Sequence, residues 1–237
     1  MDEAGKRTAE GIVYVLERKA VRNLNLRIHR DGTVYLSAGP EVPEAEADAF
    51  VARKSAYIRR AQTHFEEMAR YAPSPKQYVS GETFYLRGRG LRLKVEEGPK
   101  DCITSDGVYL RVQMKNREDG EARRRLVTRW LTRQCRLIFR EAADRVYPQF
   151  VRYGVEKPRI HIRSMDTQWG SCVKEKQIIT LNRRLAEMPE DCIEYVVTHE
   201  FCHLVLPNHS RRFYELLTVM MPDWQERKRI LDSRAYF

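Results

Sequence analysis

Leu24, Leu26 and Ile28 alternate with Asn25, Arg27 and His29, and after Asp31-Gly32 the alternation resumes at Val34 and Leu36. A period of two with a polar turn in the middle predicts a β-hairpin, with His29 on its polar face. Pro43 then opens a helix to about residue 70, with acidic residues in its first turns and Phe50, Tyr57, Ile58, Ala61, Phe65 and Met68 along one stripe. His64 lies beside that stripe without a histidine or acidic partner at ligand spacing and reads as structural. From Tyr78 to about Val112 short apolar runs separated by glycines predict further strands. No internal repeat is visible in this stretch.

A change of period follows Arg117-Glu-Asp-Gly120. A long helix is expected from about Glu121 to Phe150, with Val127, Leu131, Cys135, Ile138, Ala142 and Val146 on its apolar stripe and Arg125, Arg129, Arg133, Arg136 and Arg140 on another. Beyond it come a strand at 159–164, a loop from Met165 to Cys172, a strand at 177–182 and a helix opened by Pro189. Apolar positions from Phe213 to Leu231 continue the helical pattern. The predicted class is α+β: an antiparallel β-rich part with one long helix over residues 1–116, then a mostly helical domain with a small sheet over 117–237.

The helix after Pro189 carries the chemistry. Ile193, Val196, Val197, Phe201, Leu204, Val205 and Leu206 cover most of its circumference, which marks it as buried. Within it, His199-Glu200-x-x-His203 places two imidazoles one turn apart on one face, so both reach a single ion. Pro207 ends the helix and lets the chain turn back. His209 is therefore the expected third ligand, with Glu215 as the alternative, and Cys202, off that face, reads as core. Glu200 has the place of general base acting on a metal-bound water, and zinc is the expected ion, because catalytic zinc keeps three protein ligands and an open position. Arg163, Tyr214 and the Trp169 loop are candidates to bind substrate or stabilise an oxyanion. His161 could serve a nucleophile at Ser171 or Cys172, but the metal site already accounts for the histidines. Gly170 is expected to let its loop approach the metal helix closely, and the strand at 177–182 to offer a free edge to an extended substrate.

Composition adjusts this picture in two ways. There are 43 Lys plus Arg against 33 Asp plus Glu, mostly arginine, for a net charge of +10. Such a balance favours an anionic substrate or partner, although a solvated arginine face accounts for the helix stripe equally well. Five scattered cysteines without a CxxC pair, no leader-like apolar run and no span of transmembrane length make the expectation a soluble cytoplasmic protein in a reducing compartment.

Trp169-Gly170-Ser171-Cys172, Leu181-Asn182, Tyr195-Val-Val-x-His199-Glu-x-Cys-His203 and Asn208-His209-Ser210-x-x-Phe213, in that order, resemble the YgjP-like metallopeptidase family. The resemblance implies a zincin-like metallohydrolase domain with His199, His203 and His209 on zinc and Glu200 as catalytic carboxylate. A polypeptide is the expected substrate. The alternatives are a small anionic substrate such as a nucleoside triphosphate, or a metal-stabilised nucleic-acid-binding module, and nucleic acid is not the expected partner.

Overall fold

Strands begin earlier than Leu24. Ile12 and Tyr14 are buried while Val13 between them is exposed, the alternation of a half-buried strand. They belong to β2 (Ile12–Arg18), which pairs antiparallel with β1 (Lys6–Ala9) and parallel with β4 (Val34–Ala38), and β4 closes the expected hairpin with β3 (Asn25–Ile28). The predicted long helix is two: α1 (Glu44–Arg53) and α2 (Ser55–Arg70), separated at Lys54. Ala47, Val51 and Ile58 pack on Tyr14, Val34 and Leu36, whereas Tyr57 of the predicted stripe is exposed. Asp48 on α1 accepts hydrogen bonds from the Tyr14 hydroxyl at 2.7 Å and Arg7 Nε at 3.1 Å, tying the helix to the sheet.

The structure is a computed structural model that describes residues 5–29, 31–70, 75–165 and 168–234, side chains at 64, 67–70 and 234 excepted. The readings of His64 and of Met68 therefore lie outside the described residues. Described residues 5–70 form one compact unit and 75–234 another, so the division does not fall at the expected 116/117. The reason is the second sheet, made of β5 (Thr83–Leu86), β6 (Arg89–Glu97), β7 (Cys102–Ser105) and β8 (Tyr109–Met114). Its apolar face, Leu91, Leu93, Leu110 and Val112, packs on Val127 and Trp130 at the start of α3 (Gly120–Val146). The other half of α3 gives Cys135, Ile138, Phe139, Ala142 and Val146 to a different core. One helix thus serves two cores and joins what the sequence divided.

The two four-stranded sheets share one topology. Their orders are β1-β2-β4-β3 and β5-β6-β8-β7, each with a parallel central pair between antiparallel outer pairs. No repeat in the sequence announces this likeness.

The remaining elements form the larger core: β9 (Arg159–Arg163), β10 (Gly170–Val173), β11 (Ile178–Asn182), α4 (Glu190–Val205), α5 (Arg211–Met220) and α6 (Trp224–Arg234). In the three-stranded sheet β11 lies between β10, antiparallel to it, and β9, parallel to it. The strand expected to be a free edge is therefore the central one, and β10, expected as loop, is an edge. No helix among the described residues is long and apolar enough to cross a membrane.

Candidate metal centre

Helix α4 is fixed at both ends. Its first-turn acids, Glu190 and Asp191, suit the positive end of the helix dipole, and they and Glu194 in the next turn are held by cations from other elements. Glu190 accepts from Arg87 Nη1 at 2.9 Å, and Glu194 accepts from Arg227 Nη1 at 2.9 Å and Arg145 Nε at 3.3 Å. Arg87 and Gly88 form the tight turn between β5 and β6 with φ of 50° and 76°. A Cβ on Gly88 would lie 3.1 Å from Pro189, so the turn seats directly on the helix start. At the far end Lys174 Nζ donates to the Val205 carbonyl at 3.0 Å, satisfying one of the acceptors a helix leaves free.

On this rod His199 and His203 share a face, and the turn after Pro207 brings in His209. His209 Nε2 lies 2.9 Å from His199 Nε2 and 3.1 Å from His203 Nε2. Phe213, fully buried on α5, backs all three rings at centroid distances of 4.9, 4.6 and 4.8 Å. Tyr214 stacks on His209 and on Trp224, which also stacks on Tyr195. The ring orientations are thus set by packing. The His203 Nδ1–H donates to the Leu206 carbonyl at 3.3 Å, leaving its Nε2 with a lone pair toward the other two.

The electrostatics select a cation. Burial, followed by His203 and His209, pulls the His199 pKa down to about 3, and burial also lowers that of His203. Neutral imidazoles with converging lone pairs cannot satisfy one another, and one ion between them does. The three ligand nitrogens lie within 4.8 Å of each other, and no further carboxylate or thiol joins the group among the described residues. The donors present therefore fit a metal.

Glu200 completes the site. It is 5% exposed, and its Oε2 is buried without a hydrogen-bond partner. Burial pushes its pKa up to about 8, whereas a cation on the neighbouring histidines would pull it down. β10 runs against it so closely that a Cβ on Gly170 would lie 2.6 Å from Glu200 Oε1. The expected close approach of Gly170 is thus a matter of space. A cavity of about 530 Å³ opens over this group, lined by β10, Trp169, the three histidines, Tyr195 of α4, and Lys228 and Asp232 of α6. Asn182 holds the loop before Trp169, donating from Nδ2 to the carbonyls of Met165 at 2.7 Å and Gln168 at 2.8 Å.

A family model for the YgjP-like metallopeptidase domain matches residues 22–234. The chain belongs to the YgjP-like metallopeptidase family. As a YgjP-like protein it is a metal-dependent hydrolase with a metal cofactor. Comparison with curated proteins gives no match. Among solved structures, a similar chain is the metallopeptidase zymogen of abylysin from Pyrococcus abyssi, 20% identical over 43% of this chain and 95% of that chain, with a TM-score of 0.34.

Of the residues singled out in the sequence, His199, His203, His209, Glu200 and Trp169 come together at this YgjP-like site, with Tyr214 stacked behind His209. Arg163 and His161 do not, because both line a separate cleft on the β9 side of the sheet. That separation removes the base from the Ser171 and Cys172 reading, and burial, followed by Glu200, pushes the Cys172 thiol up to about 12, protonated at neutral pH. Glu215 pairs with Arg211 at 2.8 Å and lies outside the histidine group. Cys202 is core. Phe213, Asn182, Tyr195, Lys228 and Asp232 were assigned no site role. Phe213, Asn182 and Tyr195 carried a signal, as members of the motifs quoted above, and Lys228 and Asp232 carried none.

Proposed function

We propose that this YgjP-like protein is a zinc-dependent peptidase with Glu200 as its proton carrier. The observation that carries the reading is a buried carboxylate with an unpaired oxygen beside three converging imidazole nitrogens. An all-nitrogen, three-ligand site suits zinc in its catalytic form. When bound, zinc supplies Lewis-acid activation of water and of the scissile carbonyl. Glu200 takes a proton from the attacking water at its unpaired oxygen and passes it to the leaving amide nitrogen, a transfer that suits a buried carboxylate of raised pKa.

The polypeptide is favoured as substrate by β10. Among the described residues its backbone pairs with β11 alone, so the opposite edge, in the cavity wall, has N–H and C=O groups available to an extended chain. Trp169 offers an apolar wall to a substrate side chain, while Tyr214 orients His209. No disulfide joins the cysteines among the described residues, which suits a cytoplasmic location.

The test is hydrolysis of an unfolded protein by zinc-loaded enzyme, with Glu200→Gln alongside. The expected result is cleavage by the wild type and a loss of about 10²–10⁴-fold in the variant, with its metal retained. Release of pyrophosphate or phosphate from nucleoside triphosphates without peptide cleavage would overturn the polypeptide assignment.

A further inference from the structure

At the β9 edge of the three-stranded sheet, whose other edge, β10, borders the metal centre, lies a cleft of about 770 Å³ between α3 and β9. Arg136 and Arg140 enter it from α3, Lys157 and Arg163 from the β9 segment, and Arg183 from the turn after β11. The single carboxylate in its wall, Asp144, is taken by Lys157 at 2.6 Å. None of the four arginines makes an ion pair or donates a side-chain hydrogen bond among the described residues.

Arg125, Arg129 and Arg133 extend the cleft. At about 100° per residue, Arg125, Arg129, Arg133, Arg136 and Arg140 fall within an arc of about 80° on α3, a ridge about 22 Å long. All five are exposed, and none has an acidic partner among the described residues. Other charged side chains of α3 do pair: Arg124 with Glu121, Arg145 with Glu190 and Glu194, and Glu141 with Arg87. Like charges three or four apart cost a helix a few tenths of a kcal/mol each. A ridge that repels itself on a helix otherwise laced with ion pairs is not explained by stability.

We propose that this ridge and cleft bind the backbone of a single-stranded nucleic acid, independently of the metal centre. A small phosphorylated ligand would use only the cleft and leave Arg125, Arg129 and Arg133 idle, whereas a polyanion engages both. Arg163 and Arg183 reach the cleft from the sheet side, opposite Arg136 and Arg140 on α3, so one strand laid along the cleft would have cations on both sides. No Phe, Tyr or Trp lines it and His161 is its single ring among the described residues, so it offers no row of stacking platforms, and binding is to phosphate, independent of sequence and strongly dependent on salt.

The test is fluorescence anisotropy of labelled single-stranded RNA and DNA oligomers of about 20 nucleotides with the full-length, zinc-loaded protein. With all seven arginines engaged, log K against log salt should have a slope near −5, at about −0.7 per phosphate contact. Arg136→Ala/Arg140→Ala should weaken binding at least about tenfold and reduce the slope by about 1.4, with zinc content and hydrolysis unchanged. Arg183→Gln should act in the same direction, which guards against a folding defect in the double variant. Absence of binding at about 50 mM salt, or binding that these variants leave unaltered, would overturn the proposal. So would displacement of the oligomer by polyglutamate or inorganic tripolyphosphate as effective, charge for charge, as unlabelled oligomer, since that would indicate an acidic protein or a small phosphoanion.

Discussion

Both edges of one three-stranded sheet carry polar groups without protein partners, yet the two edges are opposite in kind. At the β10 edge the unpartnered groups, Glu200 Oε2 and His199 Nδ1, are buried. At the β9 edge they are arginines without a partner among the described residues, Arg136, Arg140 and Arg163 exposed and Arg183 half-buried. A buried orphan costs free energy that only a function or a ligand offsets. An exposed orphan costs almost nothing individually, so its information lies in number and alignment. On the proposed roles, the first pattern marks a place where bonds are made and broken, and the second a place where something charged is held. Substitutions should therefore be severe at one edge and mild at the other.

The severest change expected at the β10 edge is Glu200→Gln, which removes the proposed proton acceptor and keeps the shape. Gly170→Ala comes next. Its methyl would enter the space of the Glu200 carboxylate, and a displacement on this scale should lower kcat by about 10²-fold with the metal retained. Steady-state kinetics with metal analysis measures it, and Gly170→Ala with unaltered kcat would mean that β10 does not constrain Glu200.

A third effect concerns pH in chelator-stripped protein. The folded-state pKa of Glu200 is raised, so the folded state binds the extra proton and stability falls as pH climbs from the ordinary carboxylate value toward about 8. Between about pH 6.5 and 8, above the ordinary value of His199, this amounts to about 2 kcal/mol. Urea unfolding should show the decline in the stripped wild type and not in stripped Glu200→Gln. Loading the metal should flatten it, because the cation stabilises the charged carboxylate.

The smallest effect belongs to the β9 edge. Arg133→Gln should raise stability by about 0.2–0.5 kcal/mol by removing like-charge neighbours at 129 and 136, without changing hydrolysis. A loss of stability there would mean that the ridge has internal partners and would weaken the contrast between the edges.

How far this contrast was legible in the sequence depended on range. The α4 site was readable because everything that makes it is local: an all-apolar wheel around His199, Glu200 and His203, a proline stop, and His209 six residues on. β10 was not, since Gly170-Ser-Cys shows no alternation and is a strand only through its backbone pairing with β11. On β9, alternation put His161 and Arg163 on one face of the strand. Which side of the sheet that strand occupies is a matter of strand order, which joins distant segments and leaves no periodic trace. The same limit hid the contribution of α6 to the metal cavity and the placing of the second sheet on α3. β1 and β2 are a different case, because the alternation of Ile12 and Tyr14 was present and passed over.

The central claim is that His199, His203 and His209 hold one metal ion. Elemental mass spectrometry of protein purified without a chelator or a metal-binding tag tests it most directly, with His209→Ala measured in parallel. The prediction is close to one zinc per chain in the wild type, falling sharply in the variant while circular dichroism is unchanged. Stoichiometric zinc in His209→Ala, or none in the wild type after zinc is added back, would contradict it.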